Sequence, residues 1–254
     1  MSRAIEAVLL AVADDELVMG HRHSEWTGWA PHIEEDIAFS SIAQDEIGHA
    51  NLFYGLLWDL TDMSPDEIAM GRGKGEYRNS IFVERQNGDW AKTLARHLLY
   101  EAAEKLRLEE FGRSSYQPLA DVSEKLLREE RYHQMHAEAW LHRLATGPLE
   151  GRHLFAEAIS AVVPEASGFF ETLEFEDEAL AEGVLITPSS DLLPVWLDTV
   201  MAQIESSGLD IKERDSWIAT PLTEGGRHGI HTADFDQLWD DLTRTYREEP
   251  TATW

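Results

Sequence analysis

Glu46-Ile47-Gly48-His49 and Glu130-Arg131-Tyr132-His133 are the two stretches of this sequence that decide its fold. In each stretch a glutamate and a histidine stand three residues apart, so on a helix the two side chains lie on the same face. Each pair can therefore direct a carboxylate and an imidazole at one point. A single pair of this kind arises often by chance in an acidic helical chain, so the two pairs are informative only if further ligands fall in register with them.

Two further glutamates do fall in that register. Glu16 lies 30 residues before Glu46, and Glu101 lies 29 residues before Glu130. Glycine and proline stand near the midpoint of both intervals, where the chain is expected to turn. Residues equidistant from the turn of an antiparallel helix pair lie at the same height, here about 22 Å from the turn at about 1.5 Å per residue. The sequence therefore predicts that six metal ligands share one layer of a helical bundle: Glu16, Glu46, His49, Glu101, Glu130 and His133.

Each predicted ligand also has a simpler interpretation. Glu16 and Glu101 would be solvated helix-face carboxylates, as most glutamates are, and His49 and His133 would be core histidines. We expect ligands because both glutamates lie on apolar helical stripes and because the Glu-x-x-His spacing occurs in both halves. The other histidines fit no metal spacing as well. His136 follows His133 by three residues and is expected at the surface, with a place beside the ligands as the alternative. The nearby carboxylates that compete as ligands are Asp14, Asp15 and Glu104.

Apolar residues recur with a helical period along most of the chain, and strand-like alternation is scarce. Long helices are predicted over residues 3–24, 31–61, 89–112 and 118–146, with a short helix beginning at Pro65. Further helices are predicted from residue 149 to about residue 176 with an interruption at Pro164, over 190–207 and over 233–247. Two glutamates and two Glu-x-x-His pairs on four helices are the ligand pattern of ferritin-like bundles. The prediction is an all-α chain, a single ferritin-like domain over residues 1–254, with a four-helix core over about 3–146 and additional C-terminal helices over about 147–254.

The composition excludes several classes of function. The chain has 254 residues and no cysteine, so disulfides, iron–sulfur clusters and cysteine nucleophiles are excluded. Acidic residues outnumber basic ones by 48 to 21, which argues against nucleic-acid binding. No stretch has the length of a membrane span or the layout of a signal peptide, so a soluble cytoplasmic protein is expected. A high-salt cytoplasm is one hypothesis for the net charge of −27, and the acidic runs at 34–36 and 174–178 are expected to be solvated.

Several segments beyond the ligand motif resemble a known family. They are Glu25-Trp26, residues 82–89, Thr93, Ala95-Arg96, Arg131-Tyr132-His133, residues 140–144, Gly225-Gly226-Arg227 and residues 229–232. The chain is similar to the C-type subunits of phenylacetyl-CoA 1,2-epoxidase, the PaaC family. The resemblance implies a ferritin-like fold and a heteromeric complex with a related A-type subunit that holds the catalytic di-iron centre. It also implies that the complex epoxidises the ring of phenylacetyl-CoA with O2 and with reducing equivalents from NADPH, delivered by a separate reductase.

One feature departs from the family pattern, because C-type subunits commonly lack several of the metal ligands and this chain retains the full set. The hypothesis that follows is a subunit holding two iron ions, with manganese as the alternative metal. Glu46 and Glu130 would bridge the ions, and the other four ligands would be terminal. Asp45 and Glu129 are candidates for fixing the histidine tautomers.

Two other functions stay open at this point. One is a metal-free scaffold subunit that supports a catalytic A-type partner, and the other is a stand-alone ferritin-like di-iron oxidase. The partners expected of the favoured hypothesis are the A-type subunit, other subunits of the complex and an aryl acyl-CoA substrate, with neither nucleic acid nor membrane. No cluster of lysine and arginine for the phosphates of CoA is legible in the sequence, and Arg72, Lys74 and Arg78 form the only basic patch worth following.

Overall fold

The computed structural model describes residues 2–211, 217 and 224–252 of the chain, and within them it contains ten α-helices and no β-strand. The predicted all-α class is therefore confirmed. The helices are α1 (Arg3–Ser24), α2 (Ile33–Thr61), α3 (Pro65–Met70), α4 (Ile81–Glu84), α5 (Trp90–Phe111), α6 (Gln117–Ala145), α7 (Leu149–Ala166), α8 (Glu176–Ala181), α9 (Ser189–Ser207) and α10 (Ala233–Glu248). None of the helices in the described part of the chain combines the length and hydrophobicity that crossing a bilayer requires.

The four long helices α1, α2, α5 and α6 form the bundle of the predicted ferritin-like fold. Helix α1 packs along α2, α5 packs along α6, and α2 contacts α6. Local sequence explains the ends of these helices. Asp89 caps α5 by accepting a hydrogen bond from the Lys92 backbone N–H at 2.8 Å, and Pro118 stands in the first turn of α6, where a missing N–H does no harm.

Two predicted helix boundaries are wrong. Helix α2 begins at Ile33 rather than at Pro31, because residues 26–32 form turns instead. The helix predicted to reach residue 176 ends at Ala166 and passes into a 3₁₀ turn, Ser167–Phe170. Pro164 stands in the last turn of α7, and the Ser167 hydroxyl donates a hydrogen bond to the Pro164 carbonyl at 2.6 Å. The turn that follows buries Phe169 and Phe170 in the core.

The hydrophobic core is divided along the axis of the bundle into two clusters. One cluster contains side chains from residues 4–17 of α1 and 50–57 of α2, together with the facing ends of α5 and α6. The other contains Val18, Met19 and Phe39, residues 94–103 of α5 and the C-terminal part of α6. On α2 and α6 the predicted ligands lie between the two clusters, and on α1 and α5 Glu16 and Glu101 stand next to the residues where one cluster ends. The polar layer thus has apolar packing on both sides.

The C-terminal helices cover one side of the bundle. Helices α7 and α9 pack on α5, where the fully buried Trp196 donates its indole N–H to the Leu99 carbonyl at 3.1 Å. Arg227 reaches the interior and donates to the Asp15 carboxylate at 2.7 Å. The extension therefore buries the back of α5 and contributes a cation to the bundle.

Candidate metal centre

The structure brings all six predicted ligands together in one buried layer. Helix α1 contributes one glutamate, α2 a glutamate and a histidine, α5 one glutamate, and α6 a glutamate and a histidine. None of the six residues is more than 2% exposed. The residues are Glu16, Glu46, His49, Glu101, Glu130 and His133. Their metal ligation stays a prediction, whereas their assembly in one layer is an observation.

Glu130 lies between the two imidazoles. One of its oxygens is 3.1 Å from the Nδ1 atom of His49, and the other is 3.2 Å from the Nδ1 atom of His133. Glu16 lies 3.6 Å from His49 Nδ1. Glu101 and Glu46 lie 3.9 and 4.0 Å from His133 Nδ1. The layer therefore has a His49 side and a His133 side with Glu130 shared by both, which is the position that a bridging carboxylate needs.

The inward-facing polar atoms of this layer have no hydrogen-bond partner within the described residues. They are both carboxylate oxygens of Glu16, Glu46, Glu101 and Glu130, and the Nδ1 atoms of His49 and His133. Buried polar atoms are nearly always paired, and each unpaired one costs about 1–3 kcal/mol. Atoms that coordinate one ion at about 2.1 Å lie about 3.0–4.2 Å from one another. The histidine-to-carboxylate distances fall in that range. Three of the side chains, Glu46, Glu101 and His133, each offer a ligand atom within 4.8 Å of the other two, so these three fit a site for one ion.

The outer nitrogen of each histidine meets a carboxylate from the opposite helix. His49 Nε2 lies 3.2 Å from Glu129 Oε2, and His133 Nε2 lies 3.4 Å from Asp45 Oδ2. These are the two residues that the sequence proposed for this role. An imidazole whose outer N–H donates to a carboxylate presents its other nitrogen as a lone pair, as metal-bound histidines do.

Burial and crowding perturb the protonation of the carboxylates. Burial, reinforced by the Glu130 charge, raises the pKa of Glu46 to about 8 and raises the pKa of Glu101 well above its usual value. Burial also raises the pKa of Glu16. For Glu130, burial is outweighed by the two neighbouring imidazoles, which lower its pKa. Without metal, some of these carboxylates hold protons at neutral pH.

The imidazoles respond in the opposite sense to the same crowding. Burial would lower their pKa, but the carboxylates outweigh it and raise the pKa of His49 to about 11 and that of His133 to about 12. Four carboxylates thus face two imidazolium groups in the absence of metal. Two divalent cations would carry the positive charge that balances four carboxylates, and their binding would displace the protons.

The competing carboxylates have other partners. Asp14 accepts from the Tyr54 hydroxyl at 2.5 Å and from the Arg72 guanidinium. Asp15 accepts from the guanidinium groups of Arg107 and Arg227. Both are therefore neutralised by arginine, and Glu16 is the carboxylate of α1 that faces the layer.

Glu104 is a neighbour of the layer that pairs with Arg107. An Arg107 nitrogen also lies 3.5 Å from Glu16 Oε1. The His49 side of the layer thus has a guanidinium beside it. Among the described contacts of the His133 side, no guanidinium takes a corresponding position.

His23 and His97 are the residues at this layer that sequence reasoning missed. His23 Nδ1 lies 3.6 Å from Glu46 Oε1, and His97 Nδ1 lies 3.2 Å from Glu101 Oε1. Both are fully buried, and burial lowers the pKa of each well below its usual value, so both are neutral. The sequence spacing could have indicated both positions. His23 stands seven residues after Glu16, and His97 stands four residues before Glu101, so each lies on the face of its helix that bears the predicted ligand.

His136 is partly buried, which favours the alternative of a place beside the ligands over a surface position. Its ring nitrogens lie 3.2 Å from His97 Nε2 and 2.9 Å from Glu35 Oε2. Glu35 also accepts from the Trp140 indole N–H at 2.9 Å. The acidic run at 34–36 is therefore not fully solvated, and neither is the run at 174–178, where buried Glu176 accepts from the Ser189 hydroxyl at 2.6 Å.

The predicted basic patch is neutralised. Arg72 pairs with Asp14, Lys74 lies 2.5 Å from an Asp236 oxygen, and Arg78 lies 3.7 Å from a Glu174 oxygen. These three cations are engaged by carboxylates of the chain itself. They do not form a free site for the phosphates of a CoA ester.

Comparison with known proteins agrees with the resemblance seen in the sequence. Residues 1–254 match the family described as phenylacetic acid catabolic protein. The chain is also 27% identical over 251 residues to the C-type subunit of 1,2-phenylacetyl-CoA epoxidase from Escherichia coli (strain K12), and the match covers 98% of this chain and 99% of that protein.

Proposed function

The chain belongs to the family of phenylacetic acid catabolic proteins, and on that premise we propose that it is a metal-binding subunit of a multicomponent phenylacetyl-CoA epoxidase. The relative from Escherichia coli is named as the C-type subunit of such an enzyme. The proposal assigns to this chain a related A-type subunit as its partner and an aryl acyl-CoA as the substrate of the complex. The finer assignment, a di-metal centre inside this subunit, has support of its own in the geometry.

The observation that carries this assignment is the layer of buried ligand atoms. Six buried side chains of the types that bind iron or manganese direct their polar atoms at one another, and the carboxylate oxygens outnumber the imidazole nitrogens that face them. Burial raises the pKa of Glu46 and Glu101, so ionising this layer is costly to a metal-free fold. Binding of cations at this layer would remove that cost.

Each part of the layer has a defined task in this proposal. Glu130 would hold two ions together, and Glu46 is the second bridging candidate. Glu16 and Glu101 would be terminal ligands, and His49 and His133 would supply one imidazole to each ion. Two bound irons would supply the activation of O2, with electrons that originate in NADPH and arrive through a separate reductase.

The residues around the layer have supporting tasks. Asp45 and Glu129 hold the outer nitrogens of the histidines and so fix their tautomers. The two hydrophobic clusters above and below the layer exclude water from it. Arg107 offsets the charge of Glu16 and Glu104.

A second candidate function, the metal-free scaffold, is favoured by the charge distribution. Arg107 beside Glu16 supplies a permanent cation on the His49 side. The raised pKa values of Glu46 and Glu101 let protons take the place of metal. In that case the epoxidation would belong wholly to the A-type partner.

Iron stoichiometry separates the two functions. The isolated chain would be reconstituted anaerobically with Fe(II), desalted and assayed for iron and for helicity. We expect about two irons per chain, and their loss in Glu130→Gln. The matched control is Glu124→Gln, which removes an exposed carboxylate from the same helix and should keep the iron. A folded wild-type chain without iron would refute the metal-binding proposal and favour the scaffold.

A further inference from the structure

The six predicted ligands are sealed from solvent, so a metal ion needs a way to reach them. A small pocket between α5, α6 and α9 extends to their layer, because Glu101 is one of the residues that line it. Its volume, taken as the space open to the centres of water molecules, is about 40 Å³. One water needs about 10–15 Å³ of such space. The pocket therefore has room for about three waters, or for an ion with part of its water shell.

The walls of this pocket suit a hydrated cation. Four of its lining side chains carry an oxygen atom, Gln134 and Glu138 on α6 and Thr199 and Gln203 on α9. The Oε1 atom of Gln203 is buried and accepts no hydrogen bond within the described residues. Carboxylate and carbonyl oxygens can take the place of waters around a divalent ion. An ion can thus exchange its waters for protein oxygens along this wall.

One cation, Lys105, also lines the pocket. Its side chain is 49% exposed, and its ammonium group lies 3.8 Å from the Glu109 carboxylate, one turn further along α5. The charge of Lys105 is therefore on the solvent side and is partly offset by a carboxylate. Its presence slows the approach of a cation but does not block the pocket.

The charges around the layer favour entry on this side. An Arg107 nitrogen lies 3.5 Å from a predicted ligand on the His49 side, and a guanidinium there repels an approaching cation. The pocket instead leads to Glu101, which together with Glu46 and His133 forms the group of three residues whose ligand atoms all lie within 4.8 Å of one another. An ion that leaves the pocket therefore meets the part of the layer that fits one ion.

The face between α2 and α6 is the competing route. Asp45 and Glu129 attract cations to it, since their side chains are 55% and 43% exposed. Both carboxylates contact the outer nitrogens of His133 and His49, so the two imidazole rings stand between that face and the carboxylates of the layer. An ion arriving there has to displace a ring, whereas an ion in the pocket is already beside a predicted ligand.

We infer that the pocket between α5, α6 and α9 is the entry port through which divalent metal ions reach the layer, guided to Glu101 by the oxygen atoms of its walls. The inference deepens the proposed function and rests on it, because a port has a task only if the layer binds metal. It concerns the rate of loading and not the affinity. Changes in the lining residues other than Glu101 should therefore alter how fast metal binds and leave unchanged how much binds.

The test is stopped-flow mixing of the chelator-treated chain with Co²⁺, with loading followed by the absorption of bound cobalt and the final content measured by elemental analysis. Thr199→Phe places a ring at an exposed position of the lining. We expect loading at least about tenfold slower, because the ring fills the space for about three waters. The matched control is Ala202→Phe, at an exposed position of the same helix outside the lining, which should load within about twofold of wild type.

A second variant tests the charge of the port without adding bulk. Glu138→Gln removes the exposed carboxylate that lines it, and we expect loading about threefold slower because the local concentration of cations falls. Its matched control is Glu124→Gln, which removes an exposed carboxylate of the same helix outside the lining. All four variants should keep wild-type helicity and reach the wild-type cobalt content at equilibrium.

The possible failures are distinguishable. Wild-type loading rates in both Thr199→Phe and Glu138→Gln would overturn the port and leave the metal centre in place. Slow loading in Glu129→Gln with normal loading in Thr199→Phe would assign the route to the face between α2 and α6. A lower final cobalt content in folded Thr199→Phe would show an effect on affinity and would also count against a port. A wild-type chain that binds no cobalt would refute the proposed function itself.

Discussion

Replacing Glu46 by glutamine should stabilise the metal-free protein at alkaline pH while abolishing metal binding. The pKa of Glu46 is about 8 in the folded protein and about 4.5 in an unfolded chain. A carboxyl group with a raised pKa favours folding fully below pH 4.5, and this contribution is lost as the pH rises through 8. The glutamine variant cannot ionise at this position, so it escapes the loss.

The expected size of the effect follows from the two pKa values. A tenfold change in protonation equilibrium corresponds to about 1.4 kcal/mol. Ionisation of Glu46 then lowers the free energy of unfolding of the wild-type protein by about 4 kcal/mol at pH 8 and by about 1 kcal/mol at pH 5. The stability difference between variant and wild type should therefore grow by about 3 kcal/mol over this range, or about 6–12 °C in melting temperature.

The assay is thermal and urea unfolding of chelator-treated protein at pH 5, 6, 7 and 8, followed by circular dichroism. Glu124→Gln serves as the control for loss of a glutamate from the bundle and should follow the wild type at every pH. The reasoning would be refuted if Glu46→Gln and wild type differed by the same amount at pH 5 and pH 8. A variant less stable than wild type at pH 8 would refute it equally.

Three other perturbations have expected outcomes of their own. Asp45→Asn should weaken iron binding about 10–100-fold in the isolated chain, because the variant loses the carboxylate that holds His133. A competition titration with a chelator measures the iron affinity. An unchanged affinity would argue against a role of Asp45 in orienting His133. Trp196→Ala should lower the free energy of unfolding by about 3–5 kcal/mol, since it empties a fully buried site under α5, and a loss below about 1 kcal/mol in urea unfolding would contradict that packing. Arg227→Ala should lower the free energy of unfolding by about 3–5 kcal/mol, because Asp15 loses one of its buried cations. The double variant Asp15→Asn with Arg227→Met should recover part of this loss. If urea unfolding of the double variant shows no recovery, the two residues act independently.

The assembly of the six side chains in one layer was predictable because its signals are local. The Glu-x-x-His spacing follows from helix geometry alone, and the equal intervals from Glu16 to Glu46 and from Glu101 to Glu130 locate the turns. The candidates Asp45 and Glu129 were predictable for the same reason, since each stands beside a ligand in sequence. The sequence did not predict which histidine each carboxylate contacts, because that depends on how α2 packs against α6.

Most of the errors concern partners that are remote in sequence. Lys74 is neutralised by Asp236, which is 162 residues away, so the sequence alone showed a basic patch. His136 and Glu35 are 101 residues apart, on α6 and α2, and are partly buried where they contact each other. The end of α7 was predicted too late because the burial of Phe169 and Phe170, not helix propensity, decides where the chain turns. The local sequence pattern predicts the period of a helix, but it does not predict which distant residues pack against that helix.

The layer of candidate ligands divides the core, and this has a consequence for how the protein opens. Each half of the bundle has its own apolar cluster, while the layer between them holds buried carboxyl groups crowded around two imidazoles. The two ends should then behave as separate cooperative units, with amide protons near Leu9 and near Trp140 exchanging at independent rates. Bound metal joins four helices at their middle, so the same amides should exchange in one concerted opening. Bound ions would therefore make the two halves of the bundle unfold as one cooperative unit.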